Sequence, residues 1–263
     1  MSADAIRDLQ KIGRQLNGVD PNEIGVRNLS PRTCFIVACP RDKLDTSAYL
    51  DALKAARMFI RADFKMYFLS MPEYSDFYRW FSFLLTNTYE YLSVVFTGFP
   101  MVTPSGETNI ASPLLIEGRE LTPTKIFKQI KKYKHPASRL TVVINGCPAV
   151  ETWSNAGPQT EKLAFSKTSI SFNKPVVKPF ANEVPEQVLL VTAALRLDIH
   201  VDDRARNGSG YFINELSQIV KDDPVLNATE VLNQLTPRLR THGEEAVVFA
   251  SSYDVEAEKP FLL

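Results

Sequence analysis

One apolar run, TCFIVAC at residues 33–39, indicates the class of fold to expect from this chain. The run contains no charged residue, and Pro40 ends it. Short strands that are apolar on both faces lie in the centre of sheets covered on both sides, because a strand with one solvated face alternates between apolar and polar residues. The run therefore predicts a central strand with helices above and below it.

Strands and helices alternate outward from this run. Short apolar runs predict five further strands, at 64–69, 91–96, 140–144, 187–194 and 246–251. Apolar residues at helical spacing predict helices at 4–16, from 45 or 46 to 60, and at 74–85, 122–133, 211–220 and 227–240. A hairpin is predicted within 101–116. This order predicts an α/β fold, a three-layer α/β/α sandwich with a mostly parallel six-stranded central sheet.

Composition narrows the class of protein. The 263 residues include 30 Lys and Arg against 30 Asp and Glu, and a chain without surplus positive charge is not expected to bind nucleic acid. No apolar run reaches the ~20 residues that span a bilayer, so no membrane association is expected. The polar N-terminus does not resemble a secretory signal, and three cysteines are too few for a disulfide framework. We therefore expect a cytoplasmic, thiol-bearing protein.

Two turns mark a candidate site. FTGFP at 96–100 follows the third predicted strand, and INGCP at 144–148 follows the fourth. In open α/β sheets, reactive residues collect beyond the carboxyl ends of the strands. Cys147 therefore lies where an activated thiol is expected, although a small buried cysteine at a strand end is the more common interpretation of such a residue.

The two turns resemble those of the caspase and metacaspase superfamily. In caspases the catalytic cysteine follows the catalytic histidine by about 50 residues, and here Cys147 follows Phe99 by 48 residues. The order of elements matches over nearly the whole chain. The segment NGSGYFINEL at 207–216 resembles the helix opening of caspase small subunits.

The resemblance also implies a division of the chain. Residues 1–30 form an N-terminal helix and a turn-rich lead-in, and 31–150 form a part like the caspase large subunit. Residues 151–185 are a Pro-rich loop like the processed intersubunit linker. Residues 186–263 form a part like the small subunit.

The departures from the family pattern imply a degenerate protease, and so not an enzyme. The histidine position holds Phe99, which cannot accept the thiol proton. The family takes an oxyanion donor from the next backbone N–H, and Pro100 has none; losing one such donor costs roughly 100- to 1,000-fold in rate. Asn145 replaces the carboxylate with which metacaspases bind basic substrate side chains. The remnant site is thus Gly98, Phe99, Pro100, Asn145 and Cys147.

The resemblance implies a function in binding. We expect a regulator, decoy or scaffold in apoptosis or another form of cell-death regulation, in a homodimer or in a heterodimer with an active caspase-like protein. The expected interface is the last strand, through Val247, Val248, Phe249 and Ala250, because natural proteins avoid such apolar runs on exposed edges. Two alternatives stay open: an active cysteine endopeptidase that uses Cys147 with an unrecognised base, and an unrelated α/β domain.

No cofactor or metal site is expected. His135, His200 and His242 lie at element ends or in loops without metal-ligand spacing to a cysteine. Lysines along the helix at 122–133, together with Lys134 just beyond it, are expected to form a solvated face. The four within the helix are Lys125, Lys128, Lys131 and Lys132.

Overall fold

A mixed sheet with helices on both faces forms the centre of the computed structural model. The structure describes residues 2–40, 46–98, 114–117, 119–121, 123–145, 178–179, 185–195, 211–241, 244–251 and 260–262. Its strands are β1 (Arg14–Gln15), β2 (Arg32–Ala38), β3 (Lys65–Ser70), β4 (Tyr91–Thr97), β5 (Leu114–Ile116), β6 (Arg119–Leu121), β7 (Arg139–Ile144), β8 (Lys178–Pro179), β9 (Val188–Leu195) and β10 (Glu244–Ser251).

The central sheet has eight strands in the described residues, in the order β1-β3-β2-β4-β7-β9-β10-β8. The strands from β1 to β9 in this order run parallel. Strand β10 is antiparallel to β9, and β8 is parallel to β10. All six predicted strands are present, and the mostly parallel sheet is confirmed. Two further strands of two residues each, β1 and β8, correct the expected number of six. Strand β1 also corrects the helix predicted at 4–16, because that helix ends at Ile12 and Arg14 and Gln15 are extended.

Helices cover both faces of the sheet, so the three-layer α/β/α arrangement is confirmed. One core cluster includes residues of α1, α3, α6 and α7, and the other includes residues of α4 and α5. The bounds are α1 (Ser2–Ile12), α2 (Pro21–Ile24), α3 (Ser47–Ile60), α4 (Tyr74–Asn87), α5 (Pro123–Tyr133), α6 (Tyr211–Asp222) and α7 (Ala228–Thr241), with a short 3₁₀ helix at Val26–Asn28. None of the described helices is long and apolar enough to cross a membrane.

The run at 33–39 behaves as its composition predicts. Strand β2 lies between β3 and β4, with Phe35 in register with Tyr67 and Val94. Alternate β2 side chains enter opposite cores: Ile36 contributes to the cluster under α3, and Val37 to the cluster under α4. Apolar residues at consecutive positions are needed because both faces of the strand are buried.

The N-terminal segment covers one edge of this sheet. Ala5 and Leu9 of α1 are buried in the core shared with α3. Strand β1 pairs with β3, and just beyond it the Asn17 side chain bonds to both backbone polar groups of Ser70, at 2.8 and 2.9 Å. An open strand edge promotes aggregation, and this segment covers the β3 edge.

The hairpin predicted within 101–116 stays a prediction, because residues 101–113 lie outside the described part of the chain. A different hairpin, which was not predicted, begins where that segment ends, and in it β5 pairs antiparallel with β6. Its turn residue Glu117 accepts a hydrogen bond from the backbone N–H of Tyr74, the first residue of α4, at 3.2 Å. The division of the chain at 31–150, 151–185 and 186–263 stays a prediction. Most of 151–185 lies outside the described residues.

Candidate remnant active site

The two predicted turns start side by side at the carboxyl edge of the sheet. Strands β4 and β7 are parallel neighbours, with Phe96 in register with Ile144. The backbone N–H of Asn145 donates to the Phe96 carbonyl at 2.9 Å. The segments that continue to Phe99, Pro100 and Cys147 therefore leave neighbouring positions of the sheet, and those three residues lie outside the described part of the chain.

Gly98 starts the first turn in a backbone conformation that favours glycine. Its φ angle is 139°, and a Cβ atom there would overlap the Cys39 carbonyl oxygen and lie 2.9 Å from the carbonyl carbon. Residue 39 is in turn bound to this strand, because its N–H donates to the Thr97 carbonyl at 2.8 Å. A side chain at position 98 is thus excluded by the close approach of the chain that leaves β2.

Asn145 is buried, and its side chain binds α3. The residue is 4% exposed, and its Nδ2 atom donates to Oδ2 of Asp51 at 2.7 Å. Asp51 is fully buried on α3. The hydrogen bond joins two buried side chains, and a buried polar group that loses its partner is costly, so this contact fixes the end of β7 against α3. The Asn145 amide is thus engaged within the protein.

Asp51 is a site residue that the sequence prediction missed. It belongs to a helix face whose other buried members include Ala48, Ala52 and Ala55. The signal was an acidic residue within an apolar helical stripe, since aspartate is almost never fully buried unless it has a partner. The small alanines let α3 approach the sheet, and Thr97 Oγ1 donates to the Ala48 carbonyl at 2.9 Å.

Further along the same edge, polar side chains also bond to one another. The Tyr49 hydroxyl on α3 lies 2.9 Å from Ser70 Oγ at the end of β3. The backbone of Ser70 is held by Asn17. These contacts place α3 across the carboxyl ends of β3, β4 and β7, directly beside the start of both turns.

Neither described cysteine is chemically activated. Burial raises the pKa of the Cys39 thiol to about 12, and burial also raises the pKa of Cys34 well above its ordinary value. The thiolate is the nucleophilic form of cysteine, so both residues stay protonated near neutral pH. Within the described residues this edge of the sheet holds no thiolate.

His135 lies at the opposite edge of the sheet. It precedes β7, its backbone N–H donates to the Leu85 carbonyl at 2.8 Å, and its ring packs edge-on against Tyr89 at 4.6 Å. Six residues of β7 separate this edge from Asn145, roughly 20 Å of strand. His135 is therefore no partner for a thiol at the carboxyl edge. His200 and His242 lie outside the described residues, among which no group of three or more potential metal ligands occurs.

The predicted interface strand has one fully paired side and one partly paired side. Strand β10 pairs with β9 from Glu244 to Ser251. On its other side, only Ala250 and Ser251 pair with β8. Ala250 was predicted as an interface residue, and its backbone already has a neighbour there. Along 244–249, which includes Val247, Val248 and Phe249, the outer side of β10 has no strand partner among the described residues.

No model of a known protein family matches the chain, and no curated protein matches it.

Proposed function

We propose that this chain is a catalytically inactive, caspase-like pseudoprotease that acts by binding other proteins. Its role is that of a regulator, decoy or scaffold, in cell-death regulation, and it works in the cytoplasm as a dimer with itself or with an active caspase-like relative. The observation that carries the proposal is the pairing of β4 with β7. A thiol protease of this kind needs its base and its nucleophile at neighbouring strand ends, and these two strands are parallel neighbours.

The residues that follow those strand ends support loss of catalysis. Phe99 cannot take the thiol proton, and it cannot protonate a leaving amine. Pro100 lacks the backbone N–H that would stabilise an oxyanion. The two defects are independent, because each concerns a different requirement of acyl transfer.

The contact between Asn145 and Asp51 supports loss of substrate selection. A basic substrate side chain needs an available carboxylate, and the position that would supply it carries a neutral amide. That amide donates to Asp51 at 2.7 Å, and both residues are buried. The interaction stabilises the fold, which is what we expect of a site that no longer selects substrates.

The partly paired edge of β10 supports dimerisation. An unpaired stretch of N–H and C=O groups accepts a strand from another chain, and the outer side of 244–249 has no strand partner within the described residues. Pairing with a second chain would satisfy these groups.

A thiol-directed peptide probe tests the absence of catalysis. We expect the wild-type protein not to be labelled at Cys147, because no described group at this edge can generate the thiolate. Mass spectrometry after incubation measures the labelled fraction. Labelling that Cys147→Ala abolishes, together with cleavage of a peptide, would establish the alternative of an active cysteine endopeptidase.

Restoring the missing catalytic groups provides the positive control for this experiment. We expect Phe99→His combined with Pro100→Gly to be the minimal change that gives any hydrolysis, and Phe99→His alone to give no hydrolysis, because the oxyanion donor is still absent. Hydrolysis by the single variant would show that Pro100 does not limit catalysis.

A further inference from the structure

The solvent-exposed side of helix α5 carries positive charge. Over its 11 residues it carries four lysines and no acidic residue. All four lysines are exposed, whereas Ile126 and Ile130 on the other side are buried in the core under the sheet. We call the exposed basic residues of α5 and of the neighbouring β6 the α5 basic face: Arg119, Lys125, Lys128, Lys131 and Lys132.

Two lysines of this face, Lys128 and Lys132, differ from basic residues on other helices in their ion pairing. Arg7, Lys11 and Arg79 each form an ion pair with an aspartate three residues earlier. In the described part of the chain, Lys128 and Lys132 have no carboxylate within ion-pair distance. They are also four residues apart on the helix, a spacing at which like charges are destabilising. An anion from outside the described residues would remove this repulsion.

Aromatic rings interleave with the cations. Arg119 and Lys125 lie 5.4 and 5.8 Å from the centroid of the Tyr74 ring, and Lys132 lies 4.7 Å from that of Tyr133. Both rings are half-buried. Tyr74 thus connects the β6 cation to those of α5, so the face is continuous. The rings hold the flexible cationic side chains near the surface, which reduces the entropy lost when a ligand binds.

The length of the face suits a short extended peptide. A helix of 11 residues is about 16 Å long, and an extended chain of about five residues spans that length. The chain as a whole has no surplus positive charge, which argues against a polynucleotide as the ligand, because polynucleotide binding depends on such a surplus. We propose that the α5 basic face binds an acidic segment of the protein partner, a run rich in Asp and Glu. This inference rests on the proposed function in protein binding and specifies the chemistry of the partner.

A fluorescent polyglutamate peptide tests the proposal on the full chain. We expect saturable binding by fluorescence anisotropy at about 0.15 M ionic strength. The variant Lys128→Glu with Lys132→Glu should weaken this binding by on the order of tenfold or more, and Lys128→Gln with Lys132→Gln by less, because it removes charge without reversing it. The matched control is Arg57→Glu with Lys221→Glu, which reverses exposed bases in the last turns of α3 and α6. It should change binding less than about twofold.

Each other outcome overturns the proposal. Equal weakening in both reversed variants would show a general effect of net charge, and no binding by the wild-type protein would remove the site. Tighter binding to an oligonucleotide or to phosphatidylserine vesicles than to polyglutamate would identify a different class of ligand. Thermal melting checks that the variants are folded. The outcome is separable from that of the proposed function, because labelling at Cys147 would overturn the latter and leave polyglutamate binding unchanged.

Discussion

Asn145 uses its side chain to hold the end of β7 against α3. Its partner Asp51 is fully buried, and burial of a carboxylate is costly unless hydrogen bonds compensate for the lost hydration. The bond is therefore one of the contacts that compensate for the burial of Asp51, and it gives residue 145 a structural role. The position two residues before Cys147 therefore contributes to stability.

Asn145→Asp tests this view at the level of one residue. It would place two buried carboxylates within hydrogen-bond distance, and such a pair cannot stay fully ionised. We expect the free energy of unfolding to fall by about 3–5 kcal/mol near pH 7. The loss should be smaller near pH ~4, because the folded variant binds a proton between the carboxylates more tightly than the unfolded chain does. Stability of this variant therefore falls as the pH rises. Urea denaturation at both pH values measures the difference.

The swapped variant is the control for that prediction. Asp51→Asn combined with Asn145→Asp keeps one amide and one carboxylate in contact, so it should recover much of the stability lost by Asn145→Asp alone. A double variant less stable than either single one would show that the orientation of the pair matters more than its charge. Equal stability of Asn145→Asp and wild type would show that the contact contributes nothing.

At the scale of the element, the two sides of β10 differ in their backbone pairing: one side pairs with β9 along the strand, and the other pairs with β8 only at its end. Successive backbone N–H groups of a strand point to opposite edges, and proline removes one of them. The N–H groups of Val247 and Val248 therefore face opposite sides of β10. One of the variants Val247→Pro and Val248→Pro breaks a backbone hydrogen bond to β9, and the other removes an N–H donor from the outer side of β10. We expect one variant to lower the melting temperature of the monomer. The other should leave it nearly unchanged and lower the dimer fraction in light scattering.

The contrast between the two proline variants supplies its own control. The residues are neighbours in one strand and share the register with β9. Two variants that both unfold the monomer, or two that both leave the dimer intact, would contradict pairing between chains through this edge.

Elements differ in how far the sequence predicts them. The six long strands and most helices were predictable, because burial on both faces or on one helical stripe produces a pattern over several residues. Strand β1 was wrongly predicted as the end of a helix: Arg14 and Gln15 are extended because they lie along the edge of β3. Strand β8 is likewise determined by its neighbour, β10. Pairing of two residues depends on tertiary contacts that a local pattern does not encode.

The site was predictable in its position but not in its contacts. A glycine after an apolar strand indicated the turn at Gly98, and its φ angle agrees with that prediction. The contact of Asn145 with Asp51 joins residues 94 positions apart. No spacing in the sequence relates them, since α3 and β7 come together only through the order of strands in the sheet.

At the scale of the whole molecule, one sheet joins the two main parts of the proposed division of the chain, 31–150 and 186–263. Strand β7 belongs to the first part and β9 to the second, and they are parallel neighbours from Leu140 to Ile144. Both cores also cross the boundary, because Val191 and Leu190 of β9 contribute to opposite clusters. Neither part has a complete core by itself.

Separate production of the two parts tests this dependence. We expect fragments 1–150 and 151–263 to co-elute as one complex after co-expression, and each to be insoluble alone, because separation exposes apolar strand faces and an unpaired edge. Size-exclusion chromatography with mass spectrometry of the peak measures the association. Leu190→Lys combined with Val191→Lys should abolish it, since both side chains are buried and enter opposite cores. The control Arg57→Gln with Lys221→Gln changes exposed residues of α3 and α6, keeps the cores intact and should leave co-elution unchanged. Soluble, monomeric fragments that do not associate would show that the sheet does not unite the two parts.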